Sequence, residues 1–271
     1  MFDFIATNDF GYKTDFITWT GDTSPHNTWT NTKEEVAEYV RNVTQTLKDS
    51  LGSNSQIDIF PALGNHDVWP INTEDLTKPD SNWDINMIKE DWLGPHWLSD
   101  EEHTQFGTFG YYSKPLSFTN GKVLALNTQT CNEMNWWLFQ DREDPAGIMQ
   151  WLEDELAALE KEQGIAVIIG HIPPVECLHE FGYRFKGLME RYQHIVRFQI
   201  YGHTHEEGVN INRAVNTYTA IQWQLIAGSG TPVDNRNPSF LQITWDKELM
   251  VPINIHTYYM NLTKANESPD Q

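Results

Sequence analysis

Basic residues are scarce in this 271-residue chain: 18 lysines and arginines face 38 aspartates and glutamates, a formal net charge of −20. A phosphate backbone would be repelled, so nucleic acid is excluded as a partner. Cysteine is scarcer still. The two present, Cys131 and Cys177, cannot build a thiolate metal cluster, and their number alone decides nothing about redox compartment. No apolar run reaches the roughly eighteen residues of a membrane-spanning helix. Met1–Ile5 has neither the basic flank nor the apolar stretch of a secretory leader. Internal repeats, low-complexity tracts and linkers are also missing. That leaves one domain over residues 1–271, long enough to bury a sizeable core.

What is present is a repeated local grammar. Asp15–Thr20 is an apolar, aromatic and β-branched run that stops at Gly21-Asp22, with His26 four residues on. Ile57–Leu63 runs into Gly64-Asn65-His66-Asp67. Ile165–Ile169 runs into Gly170-His171-Ile172-Pro173-Pro174, and Phe198–Tyr201 into Gly202-His203-Thr204-His205. Each reads as a buried strand ending in a tight loop. In open α/β sheets such loops converge on a crevice outside the strand ends. Carboxylate, carboxamide and imidazole donors together suit a borderline divalent ion such as zinc, manganese or iron.

The intervening segments read as scaffold. Thr32 and Glu35 form a capping box ahead of an apolar stripe at Val36, Tyr39, Val40, Val43, Leu47 and Leu51, closed by Gly52. Strand, helix, strand in this order is a right-handed crossover. Residues 68–108 read as a long irregular, lid-like segment with one short helix at 84–93. Its Trp83, Trp92 and Trp97 either pack beneath the loop or line a substrate wall. Residues 110–113 and 122–127 pair as a hairpin through Asn120-Gly121. A second amphipathic helix covers 147–163, with Ile148, Trp151, Leu152, Leu156 and Leu159 inward, and a third lies near 185–196. Strands at 165–169, 197–201, 222–227, 240–245 and 251–256 follow, and the part from about 206 to 271 is β-rich. Alternation followed by a run of strands predicts an α/β fold: a two-sheet sandwich flanked by helices.

Two divalent ions about 3.5–4 Å apart can clamp a phosphoryl group and activate a hydroxide for in-line attack. Asp22 is the strand-end carboxylate whose two oxygens can bridge such a pair. Asn65, His171 and His203 complete the ligands of one ion, and His205 turns toward the other. His66, next to a ligand, faces the substrate as a general acid, and His26 shares protonation of the leaving oxygen. His96, His103, His179, His194 and His256 fall in no such pattern and read as structural or exposed.

The four blocks in this order resemble the calcineurin-like metallophosphoesterases. Trp19-Thr20-Gly21-Asp22 with His26, and Gly170-His171-Ile172-Pro173-Pro174 with Cys177, narrow the likeness to acid sphingomyelinase and the acid sphingomyelinase-like phosphodiesterases. Asp144-Pro145-Ala146-Gly147 before Trp151-Leu152, Cys131 before Trp136-Trp137, and Tyr259–Thr263 fit the same group. From about Asp15 onward the resemblance implies a metallophosphoesterase sandwich, two zinc ions and hydrolysis of sphingomyelin-like phosphodiesters at a lipid surface. Nucleotides or other soluble phosphodiesters are the alternative substrates. It also implies a Cys131–Cys177 disulfide, and with it a secreted or lysosomal setting. There Asn42, Asn261 and Asn266 are glycosylation candidates.

One block of the family pattern is missing: no Asp-x-His occurs, and Asp9 stands too close to Asp22 to supply it. No saposin-like module precedes the blocks either. The expectation is therefore a chain that begins after the family's first strand, its second metal site incomplete. It is then either a fragment of an active enzyme or a natural short form holding one metal, weakly active or serving only as a binding protein.

Overall fold

Hydrophobic periodicity sets most of the element order. The computed structural model describes residues 1–7, 14–27, 29–51, 57–79, 82–93 and 97–267. Asp9, Gly52 and His96 lie outside them. Helix α1 (Phe2–Thr7) precedes β1 (Phe16–Trp19), α2 (Lys33–Leu51) and β2 (Asp58–Pro61). Then come α3 (Trp83–Leu93), α4 (Asp100–Phe109), β3 (Tyr112–Pro115), β4 (Gly121–Ala125), α5 (Ile148–Lys161) and β5 (Ile165–Ile169). The chain continues through α6 (His179–Arg191), β6 (Val196–Tyr201), β7 (Gly208–Arg213), β8 (Ala220–Ile226), β9 (Ser239–Asp246), β10 (Val251–Tyr259) and α7 (Leu262–Glu267).

Six strands form one sheet in the order β3-β4-β5-β6-β8-β7, parallel from β4 to β8 with an antiparallel strand at each edge. Strand β5 is apolar on both faces, as a parallel sheet covered on both sides requires, whereas β6 and β8 bury Gln199 and Gln224, which bond to each other. Val123, Ala125, Val167, Ile169, Phe198 and Ile200 face one core, while Leu124, Ala166 and Ile168 face the other. The first core is closed by β1, β2, β9 and the helices α2 to α4, through Val40, Ile59, Ile85, Trp92 and Trp245. The second is closed by α5 and α6, through Leu152, Leu156, Leu159, Phe185 and Met189.

The layer opposite the main sheet comes in two pieces among the described residues. β1 pairs in parallel with β2, and β9 pairs antiparallel with β10. Asp15 ties the pieces together through Lys247 at 2.6 Å, and Phe16 packs edge-on against Trp245. The predicted sandwich is thus present, with a divided second layer.

The capping box on α2 forms in both directions: Glu35 N–H donates to Thr32 Oγ1 at 3.2 Å, and Thr32 N–H to Glu35 Oε2 at 2.7 Å. Elsewhere the structure corrects the sequence reading. Residues 68–108 carry a second helix, α4, opened by a capping box at Ser99 and Glu102. For Trp92 and Trp97, only 2% and 6% exposed, the packing alternative holds and the substrate wall does not. Gly121 is the first residue of β4 and not a turn residue; a side chain there would run into Ile165. Helix α6 sits earlier than 185–196, because the chain must already be extended at Val196 to pair with Ala166. Strand β7 has no counterpart in the sequence reading: its alternation is inverted, with Val209 and Ile211 outward. Asn42 and Asn266 are exposed on α2 and α7, and half-buried Asn261 accepts from the Lys264 N–H.

Candidate metal centre

The ends of β1, β2, β5 and β6 meet at one place because two glycines let the backbones touch. Gly21, at a φ of 87°, lies against Gly64; a Cβ on Gly64 would collide with Asp22 Oδ1 and the Asp22 amide. Only a residue without a side chain permits that approach. Asp67 then fastens the two loops. Its Oδ2 accepts from Asp22 N–H at 3.0 Å and Gly64 N–H at 2.8 Å, and its Oδ1 from Thr23 N–H at 2.8 Å. Asp22 Oδ1 in turn accepts from His66 N–H at 2.8 Å. Asp22, His203 and His205 sit at φ of 59°, 72° and 60°, a region costly for residues with side chains and tolerated where surroundings over-determine it.

This backbone aims four donor atoms at one point. His171 Nε2 lies 3.0 Å from Asp22 Oδ2, 2.9 Å from Asn65 Oδ1 and 3.2 Å from His203 Nδ1. His203 Nδ1 is 3.0 Å from Asn65 Oδ1. His171 Nδ1 donates to the Thr20 carbonyl at 2.7 Å, which leaves the Nε2 lone pair free to face the cluster. Asp22 Oδ2 is buried and has no hydrogen-bond donor. A proton on His171 serves one of these contacts; a divalent cation serves all four, so the donor set fits the metal.

Electrostatics follow the same geometry. Burial alone would raise the Asp22 carboxyl, but the positive charge that His171 carries when protonated overrides it and holds it well below the usual carboxylate range. Burial lowers the His171 imidazole, yet the Asp22 charge wins and raises it. His203 is pushed down to about 4, first by burial and then by His171. Asp67 moves up, from burial and the neighbouring Asp22 charge.

The remaining predicted site residues form an adjoining group. The His26 ring centroid lies 4.2 Å from that of His66 and 4.8 Å from that of His205. His66 Nε2 reaches to 4.0 Å from Asp22 Oδ2, and burial lowers its pKa. His205 Nδ1 faces Asp234 Oδ2 at 3.6 Å. Among the described residues, Asp22, His171 and His203 are the acidic and imidazole side chains close enough together to hold a metal ion, and His205 stands outside that group. His103 and His194 pair with Glu90 and Glu160, while His256 bonds Asn254 and His179 stacks on Tyr183.

Beside the donors opens a cleft of about 380 Å³, lined by Asn65, Asn72, Asn132, Met134, Glu176 and His203 among others. Asn132 donates to both Asn72 and Gln129, at 2.8 and 2.7 Å. The Cys131–Cys177 disulfide joins the loops behind β4 and β5 that build the cleft wall. Sequence reasoning assigned no part to Asp67 or Thr20. Asp67 could have been suspected as the acid closing the Gly-Asn-His-Asp block; Thr20 acts through its carbonyl and leaves no side-chain signal.

Strand-end donors gathered at one edge of a layered α/β fold define a metallophosphoesterase. The chain belongs to the calcineurin-like phosphoesterase family, whose pattern matches residues 1–207. Within that family it is similar to sphingomyelin phosphodiesterase B of Dictyostelium discoideum, at 31% identity over 98% of this chain and 42% of that one. It is also similar to sphingomyelin phosphodiesterase of Bos taurus, at 31% over 93% and 41%. The cyclic GMP-AMP phosphodiesterase SMPDL3A of Homo sapiens is 27% identical over 98% of this chain and 60% of its own. The chain thus spans less than half the length of the two sphingomyelin phosphodiesterases. The solved structure of PhoD shares the fold at a TM-score of 0.57 and 10% identity, over 84% of this chain and 53% of that one. Family membership implies divalent metal ions.

Proposed function

We propose that residues 1–271 form one domain that hydrolyses phosphodiesters with a divalent metal, and that its substrates are sphingomyelin-like lipids. Asp22, Asn65, His171 and His203 would hold one zinc ion, Asp22 and His205 would reach toward a second, and His26 and His66 would serve the leaving oxygen. The observation that carries this is the convergence of four lone-pair atoms, Asp22 Oδ2, Asn65 Oδ1, His171 Nε2 and His203 Nδ1, through contacts of 2.9–3.2 Å, three of them made by His171 Nε2. Bound zinc supplies Lewis acidity to a phosphoryl oxygen and lowers the pKa of water. The chain's own residues do the rest: Thr20 fixes the His171 tautomer, Asp67 holds Asp22 and the Gly64 loop, and the cleft receives the ester.

A lipid surface is supported by apolar side chains around the cleft. Met134 and Val175 line it, and Trp136 and Phe139 follow on the same short segment, these four being 55% to 81% exposed. A secreted or lysosomal setting is supported by the disulfide, and it would make Asn42, Asn261 and Asn266 glycosylation sites. No helix of the described residues is long and apolar enough to cross a membrane.

The likeness to a cyclic GMP-AMP phosphodiesterase favours a second reading, a soluble nucleotide substrate. Phosphocholine release from sphingomyelin micelles, compared with hydrolysis of cyclic GMP-AMP, separates the two. Activity on micelles that falls at least about tenfold in His66→Ala supports the lipid reading; activity on the nucleotide alone replaces it. Zinc binding without turnover of either substrate would leave a binding protein.

A further inference from the structure

Both imidazoles that face the metal point must carry their proton on the far nitrogen. For His171 the acceptor is the Thr20 carbonyl. For His203, whose Nδ1 faces Asn65 and His171, the far nitrogen is Nε2, and 3.7 Å from it lies Glu176 Oε2. We infer that Glu176 is the positioning residue of His203: its carboxylate draws the proton to Nε2, and so keeps the Nδ1 lone pair on the metal. This rests on the metal-binding reading above.

The backbone that carries this carboxylate is held in place, while the side chain itself is 44% exposed at the cleft. Glu176 ends a one-turn 3-10 helix, Pro174–Glu176, and its N–H donates to the Pro173 carbonyl at 2.8 Å. Two prolines precede it, removing backbone freedom. The next residue, Cys177, is bonded to Cys131, and the Leu178 N–H donates to the Cys131 carbonyl at 2.9 Å. The short stretch between His171 and the disulfide is therefore held at both ends, and Glu176 is the acidic side chain it offers to the neighbouring loop. The disulfide thereby acquires a part at the metal centre as well as in the fold. A carboxylate behind a metal-bound imidazole fixes its tautomer and raises its basicity, and losing one commonly weakens metal binding about 10–100-fold.

The test is a competition titration of Zn²⁺ against a chromogenic chelator, on the full chain and on Glu176→Ala, Glu176→Gln and His203→Ala. Glu176→Ala should weaken Zn²⁺ binding about tenfold or more. Glu176→Gln should recover most of the loss, because its amide oxygen still accepts from Nε2–H. The melting temperature of the metal-stripped Glu176→Ala chain should match wild type. Zn²⁺ affinity of Glu176→Ala within about threefold of wild type overturns the inference. So does a lowered melting temperature without rescue by Gln, which would make the side chain merely structural. Failure of the metal-site reading looks different: wild type would not bind Zn²⁺, or His203→Ala would bind it as well as wild type.

Discussion

Asp67→Asn tests whether the two glycine loops are fastened by charge. The Asp67 carboxylate accepts three backbone N–H groups, from Asp22, Thr23 and Gly64, and the residue is 3% exposed. An asparagine has one oxygen. Its best orientation keeps that oxygen over Asp22 and Gly64 and turns the amide NH₂ against the Thr23 N–H. One charge-assisted bond is then lost, at about 1.5–3 kcal/mol, and a part-buried N–H left without an acceptor adds about 1 kcal/mol. Against this, the variant removes a buried charge that burial and the neighbouring Asp22 already disfavour, which offsets part of that loss. The expected net loss is about 2–3 kcal/mol.

Urea unfolding of the metal-stripped chain measures it: the midpoint should fall while the slope stays constant. Zn²⁺ affinity should fall with it, since Asp22 Oδ2 and Asn65 Oδ1 sit on the loops that Asp67 joins. A variant within about 0.5 kcal/mol of wild type, with unchanged Zn²⁺ affinity, would refute the reasoning and show that packing alone holds the loops.

Gly64→Ala should abolish Zn²⁺ binding, because the new methyl collides with the Asp22 amide and Oδ1; binding within about tenfold of wild type by titration would show that the loops can part. Buried Asp84, pushed up to about 7 by burial, and Glu74, raised by burial and then by Asp84, keep protons in the folded chain that the unfolded chain releases. Stability should therefore fall as pH rises from about 4 to 7, by up to about 1.4 kcal/mol per pH unit for one group, and a melting series should show a shallower slope in Asp84→Asn than in wild type, with the Glu74 part remaining. The Cys131–Cys177 bridge closes a separation of 46 residues, so the double serine variant should lose about 4 kcal/mol by chain entropy, read from denaturant midpoints.

The parallel strands were legible because they are buried on both faces, which leaves unbroken apolar runs such as Ile165–Ile169. Helix α2 was legible for the opposite reason: its capping box and one-sided stripe are local signals. What escaped depends on partners distant in sequence. β7 turns Val209 and Ile211 outward, so its hydrophobic pattern points away from the core it helps to build. α4 carries the same capping grammar as α2, at Ser99 and Glu102, but the tryptophans and prolines around it read as irregular chain. The turn misread at Gly121 follows the same rule: β3 and β4 pair as expected, but Asn-Gly is a turn signal, and Gly121 instead opens β4 against Ile165.

The site divides along that line too. Asp22, Asn65, His171 and His203 could be named because each follows a glycine at a strand end, and metal chemistry restricts the residue types allowed there. Asp67 and Thr20 contribute through bonds to or from the main chain, where side-chain identity says little. His205 is a separate case, because the sequence reading assigns it to a second ion and not to this cluster. Two residues past His203 it could have turned either way; a φ of 60° sends it toward His26 and Asp234, outside the four-donor cluster. The Gly-His-x-His spacing just past β6 thus puts one imidazole in the four-donor cluster and turns the next one out of it, and the sequence reading assigns the two to different ions.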